Sequence, residues 1–192
     1  MRYTLIFIIF FSLFSNITFA NEASNWLKKE IDVILNSYKN ENMTDETRFL
    51  MIEDTINYNF AGAGIAKFVA GESWGKANKE AQKEYIKLFK RHLALNIASM
   101  MQSYSNQEYL LKNKQSDSKN TVNLIDMEII SDTGNLLITW RVIKSKDRFF
   151  IIDLIVADIS LVVTKRSEFN SMLKNVNFNL EKFSELLENQ NN

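Results

Sequence analysis

The chain has no cysteine, no proline, one histidine and only five glycines in 192 residues. Without cysteine there are no disulfide staples, no thiolate metal site and no cysteine nucleophile. A single histidine excludes sites that need two, such as the HExxH zinc motif. So few glycines leave little room for a phosphate-cradling loop. Charge of one sign is missing too: 23 Lys+Arg balance 23 Asp+Glu, so nothing announces a nucleic-acid partner. What is present is ordinary globular material. Hydrophobic residues make up 46% and charged residues 24%, which excludes a disordered chain. The length suits a single domain with one good core.

Residues 1–20 read as a secretory leader. Arg2 is a short positive region, Leu5 to Phe14 an apolar stretch broken only by Ser12, and Thr18-Phe19-Ala20 an acceptable cleavage triplet. The mature chain is then expected to be 21–192, a single domain working outside the cytoplasm. Packing alone must hold it, because it has no disulfides.

Residues 22 to about 104 carry helical periodicity. Trp26, Ile31, Ile34, Leu35 and Tyr38 share one side of a first helix. Thr44 is the expected N-cap of a second, with Phe49, Leu50, Ile52, Ile56 and Phe60. A short helix from Gly64 to Ala70 is expected to stop at Gly71, and Ser73-Trp74-Gly75 reads as a loop. Asn78 then caps a long helix to about Tyr104, in which Tyr85, Phe89, Leu93, Ile97 and Met101 recur. From residue 107 the period becomes two. Strands are expected at 107–115, 121–130, 135–144 and 148–164, joined by short turns, hence antiparallel. In the third strand Leu136, Ile138, Trp140 and Val142 share a face. The fourth is apolar on both faces and is expected to be central. Ser167 with Glu168 is the expected start of a last helix to about Leu187. The fold class is α+β: helices packed on one face of a four-stranded antiparallel sheet.

Several residues could carry chemistry. His92 stands beside Arg91 on the long helix, where a lone histidine serves packing more often than catalysis. Asp153 sits in an otherwise apolar strand; it either ties the strand to a neighbouring element or acts as a general base. Asp126 and Glu128 share a strand face, which suits solvation better than metal binding. Gly62-Ala63-Gly64 lacks the preceding strand that a dinucleotide fingerprint requires. Lys83, Lys87, Lys90 and Arg91 either meet phosphate head groups or form a solvated helix face.

Three strings carry a family resemblance. The first is Asp153-Leu154-Ile155-Val156, Ile159-Ser160-Leu161-Val162 and Thr164-Lys165-Arg166-Ser167-Glu168-Phe169. The second joins Phe60, Gly71 and Trp74 to Gln82-Lys83 and Tyr85, and the third is Tyr104 at the end of the long helix. On these the chain resembles the MlaC-type periplasmic phospholipid-binding proteins, or toluene-tolerance family. These are soluble partners of an ABC transporter that moves lipids between the two membranes of Gram-negative bacteria. The pattern departs at Asp158, where the family usually has glycine. The resemblance implies an α+β fold of the NTF2-like or cystatin-like kind with a curved sheet and a deep apolar cavity. Two acyl chains would lie inside it, with the head group outside. It implies no cofactor, no catalysis and partners in an inner-membrane ABC transporter complex and an outer-membrane lipoprotein complex, the carrier itself being a monomer in the periplasm. Two chains of roughly 16 carbons carry on the order of 20 kcal/mol of transfer free energy, which an apolar lining must replace. The expected lipid-binding residues are Phe89, Leu93, Ile97, Met101, Leu136, Ile138, Trp140, Val142, Phe150, Ile152 and Leu154. An exported small-molecule enzyme with Asp153 as base, and a carrier of hopanoid-type lipids as in a sister branch, are the alternatives.

Overall fold

The computed structural model describes residues 15–102, 104, 107–114, 121–132 and 134–191. Most of the leader, residues 1–14, lies outside the described residues. Helix α1 is Ser15–Lys39, α2 Asp45–Asn59, α3 Gly62–Ala70, α4 Glu72–Lys76 and α5 Lys79–Met101. Strands β1 (Glu108–Lys114), β2 (Val122–Ile130), β3 (Leu136–Ser145), β4 (Arg148–Val156) and β5 (Ile159–Ser160) follow, then α6 (Leu161–Asn175) and α7 (Leu180–Gln190). The strands form one antiparallel sheet in the order β1-β2-β3-β4-β5.

Local chemistry sets many of these boundaries. The backbone N–H of Thr47 donates to Thr44 Oγ1 at 3.2 Å, and that of Ala81 to Asn78 Oδ1 at 2.8 Å, so both expected caps hold their helices. Gly71 closes α3 at φ 56°, a conformation that suits glycine. Gly62 serves a different need: a Cβ there would meet Lys90 Cε at 2.6 Å. The helices and sheet share one apolar core. Within it α5, α6 and α7 form an aromatic cluster, with Phe169 and Phe183 centroids 5.0 Å apart and Tyr85 and Phe89 beside them.

Four expectations are corrected. Ser73-Trp74-Gly75 is not a loop but lies in the short helix α4. The sheet has five strands, because the expected fourth strand breaks at a tight turn where Ala157 and Asp158 take φ 47° and 65°. The central strand is β3, flanked by β2 and β4. Among the described residues, the far edge of β4 pairs with β5 and with a bridge in which Ala61 N–H donates to Ile151 O at 2.9 Å. The last helix is capped at Ser160 rather than Ser167, and it divides into α6 and α7 where Asn177 and Phe178 take φ 54° and 56°.

The left-handed turn explains Asp158. Its φ is one that glycine adopts without strain, and aspartate tolerates it better than most residues. Ala157 tolerates it less well. A turn with both central residues at positive φ favours Asn-Gly. Replacing Ala157-Asp158 by Asn-Gly is therefore expected to stabilise the protein by about 1 kcal/mol, read from the denaturant midpoint. A lower midpoint would contradict this account of the turn.

Candidate functional site

A cavity of about 390 Å³ lies between the helices and the inner face of the sheet. Each wall follows from an element's period. Ile31, Ile34 and Leu35 of α1, and Ile52 and Ile56 of α2, recur at helical spacing. From the sheet come Met127 and Ile129 on β2 and Leu136, Ile138 and Trp140 on β3, all alternate residues of one face. Ile97, Met100 and Met101 close it from the last turns of α5, Leu154 from β4, and Leu161 from the start of α6. Ile31, Leu35, Ile52, Ile56, Phe60, Met127, Ile138 and Leu154 are buried, whereas Met100 (49% exposed) and Leu136 (40%) reach solvent. The opening therefore lies at the α5 C-terminus and the β2–β3 hairpin, beside Gln107, Ser131 and Gly134.

Few polar groups interrupt the lining. Asn59 Nδ2 donates to Glu30 Oε2 at 2.6 Å. Tyr109 O–H donates to Asp32 Oδ1 at 2.6 Å, and burial together with that carboxylate pushes the phenol up to about 12. Met100, Met101 and Met127 give the lining side chains that can re-pack around irregular apolar shapes.

Six of the expected lipid-binding residues line this space: Ile97, Met101, Leu136, Ile138, Trp140 and Leu154. The other five do not. Phe89 belongs to the aromatic cluster, its ring 6.0 Å from Phe169, and Leu93 packs against the core one turn further along α5. Val142 is fully buried on the inner face, two residues beyond Trp140. A bulge removes Phe150 and Ile152. Arg141 pairs with Asp153 but Val142 pairs with Ile151, so Ile152 is an extra residue in β4. Beyond the bulge the parity of β4 reverses: Leu154 faces the cavity opposite Trp140, while Phe150 lies opposite Ile143 in a shallow groove on the other side. The lining from α1 and α2 is carried by the apolar stripes already visible in the sequence. Periodicity identifies such a stripe but not whether it meets a solid core or a void.

The candidate chemical residues are engaged elsewhere. Asp153 is 2% exposed and pairs with Arg141, on the sheet face away from the cavity. Its carboxylate accepts from Ser160 Oγ at 2.6 Å, from Val162 N–H at 3.2 Å and from Arg141 Nη1 at 3.5 Å. It thereby ties β4 to the N-terminus of α6. Asp126 accepts from Thr139 Oγ1 at 2.5 Å, and Glu128 from Lys112 and Asn135. The basic residues of α5, Lys79 to Arg91, precede its cavity-lining turns; Lys87 pairs with Glu84 and Arg91 with Glu53.

His92 packs against Phe169, with ring centroids 5.4 Å apart. Asn191 Nδ2 donates to Leu88 O at 3.0 Å, which turns Asn191 Oδ1 toward His92 Nδ1 at 3.2 Å. Lys165 Nζ, which can only donate, lies 3.4 Å from Nε2. The neutral ring thus carries its proton on Nδ1. Burial and the neighbouring Lys165 both lower its pKa from the ordinary 6.5. The unfolded chain consequently takes up the proton first, so stability holds above pH 6.5 and falls as pH drops below it. Wild type is expected to lose more stability on acidification below pH 6.5 than His92→Gln, measured by thermal denaturation across pH. Parallel pH profiles would refute this.

A sheet and helices around an apolar cavity that opens to water define a binding domain for hydrophobic ligands. A family model described as "MlaC protein" matches residues 28–189, and the chain belongs to that family. No similar sequence was found among curated proteins. Among solved structures, the phospholipid-binding protein from Ralstonia solanacearum, in complex with a phospholipid, is similar at a TM-score of 0.77 and 17% identity. The match covers 88% of this chain and 96% of that one.

Proposed function

We propose that this protein is an exported phospholipid carrier. It takes acyl chains into the apolar cavity, leaves the head group at the mouth, and shuttles lipid between an outer-membrane lipoprotein complex and an inner-membrane ABC transporter complex. The observation that carries the reading is the open cavity of about 390 Å³ with an almost wholly apolar lining, in a chain of the MlaC family. The phospholipid in the Ralstonia solanacearum protein supports the same ligand class. Each buried methylene contributes about 0.8 kcal/mol, so an apolar lining alone supplies the affinity and no covalent step is needed. The leader of residues 1–20 directs export to the periplasm, and cleavage leaves Asn21 at the N-terminus.

The test is purification from a bacterial host followed by solvent extraction and mass spectrometry. About one phospholipid per protein is expected, on a chain whose N-terminal sequence begins at Asn21. Protein free of lipid that also fails to take lipid from vesicles would refute the carrier. Retention of Met1 on membrane-bound protein would refute the cleaved leader.

A further inference from the structure

The apolar surface does not stop at the cavity mouth. At the same end of the sheet, Ile130 is 39% exposed, Leu136 40%, Leu137 41%, Ile159 60% and Val163 56%. Topology gathers them. Ile130 ends β2 and Leu136 and Leu137 begin β3. The β4–β5 turn reaches β3 directly, because Ala157 N–H donates to Leu137 O at 3.3 Å. That turn leads at once into Ile159 and then Val163 in the first turn of α6, next to the cavity-lining Leu161. Five large apolar side chains in water around one opening call for a covering surface.

The charges at this end say what kind. Glu108 stands opposite Ile130 across the β1–β2 ladder, Asp132 follows Ile130 in the hairpin, and Asp158 precedes Ile159. None of these three forms an ion pair with a described residue. Two basic side chains on the flanking elements are occupied: Lys112, four residues along β1 from Glu108, by Glu128 at 3.0 Å, and Lys165, two residues past Val163 on α6, by Glu168 at 2.8 Å. Lys144, Lys146 and Arg148 lie at the opposite end, around the β3–β4 hairpin. The rim is therefore apolar and acidic, and the far end of the sheet basic.

We infer that this rim, centred on Ile159, is the docking surface for a protein partner whose own contact surface is apolar and flanked by lysine or arginine. Charge complementarity selects that occupant. An anionic membrane surface would be repelled by the three carboxylates. A second copy of the chain would set the same carboxylates against each other, since a twofold contact apposes identical patches. The inference rests on the carrier reading and deepens it: lipid leaves through a mouth that the partner seals from water.

The experiment places a photoreactive amino acid at Ile159, and for comparison at Phe68 on α3, in the full chain expressed in the cell that produces it. The adduct is identified by mass spectrometry, and the crosslinked partner is purified and titrated against wild type, Ile159→Asp and the double variant Asp132→Lys/Asp158→Lys. Expected are a heterologous protein adduct at 159 and not at 68, and affinity about tenfold weaker for Ile159→Asp. For the double variant affinity should fall about fivefold, with a flatter salt dependence. Sedimentation with phosphatidylglycerol vesicles should not exceed that with phosphatidylcholine vesicles. The inference is overturned by no adduct at 159, an adduct to a second copy, unchanged affinities, or preferential binding to phosphatidylglycerol vesicles. Lipid content is measured on the same proteins. Wild type without lipid would sink the carrier reading, whereas lipid-loaded wild type with unaffected docking would sink this inference alone.

Discussion

Ile138→Arg is expected to empty the protein of lipid while leaving it folded. Ile138 is 8% exposed and faces the cavity from β3. Two residues toward the opening, Leu136 is already 40% exposed. Two residues of strand span about 7 Å, a distance the arginine stem covers, so the guanidinium can lie along the wall and reach water at the mouth. The stem then occupies space that acyl chain would fill. Displacing two methylenes forfeits about 1.6 kcal/mol, already more than a tenfold loss of affinity. The measurement is phospholipid per protein by mass spectrometry, with circular dichroism and thermal denaturation alongside. In a solid core the same arginine would be buried without a partner, and the chain would unfold. Unfolding of Ile138→Arg together with undiminished lipid on a cavity-filling Ile138→Trp variant would show that no ligand space exists at this face.

How much of this was legible in the sequence depends on the range of the interaction. Thr44 and Asn78 cap their helices through residues three positions away, and both caps are readable from adjacent side chains. The alternation of β3 is readable for the same reason, since strand period needs no partner to be seen. The start of α6 is different. Val162-Val163-Thr164 is a β-branched run with strand propensity, and it becomes helix because Asp153, in another element, accepts from Ser160 and Val162. Tertiary contact overrides the local preference there. The bulge at Ile152 is likewise a property of the pairing with β3, so a period of two carried through 148–156 puts Phe150 and Leu154 on one face when they lie on opposite ones. The aromatic residues of α5 show the remaining difficulty. Phe89 and Ile97 share one helix, but the first meets Phe169 and the second meets the cavity, and no spacing rule separates them.

Asp153→Ala is expected to destabilise the fold by about 3 kcal/mol without altering the chemistry of any bound lipid. The magnitude follows from the contacts. A buried carboxylate that accepts from Ser160 Oγ at 2.6 Å and Val162 N–H at 3.2 Å contributes about 1.5–3 kcal/mol through each charge-assisted bond, and truncation leaves both donors without their acceptor. Arg141 adds little, because its side chain is 40% exposed and lies at 3.5 Å, so water screens the pair. Asp153→Asn keeps one acceptor oxygen and should lose about half as much. The damage should be local as well as global: α6 begins at this carboxylate, so amide exchange should accelerate first at Val162 and Val163. Ser160 Oγ also accepts from Val163 N–H at 3.1 Å, which makes Ser160→Ala a smaller version of the same lesion. Denaturant midpoints for the three variants, with lipid products analysed after incubation with vesicles, decide the matter. A loss below about 1 kcal/mol for the alanine variant would mean that the carboxylate is not what holds the helix end. Lipid that wild type hydrolyses or isomerises, and the asparagine variant leaves intact under conditions where it is fully folded, would instead make Asp153 a catalytic base and the protein an enzyme.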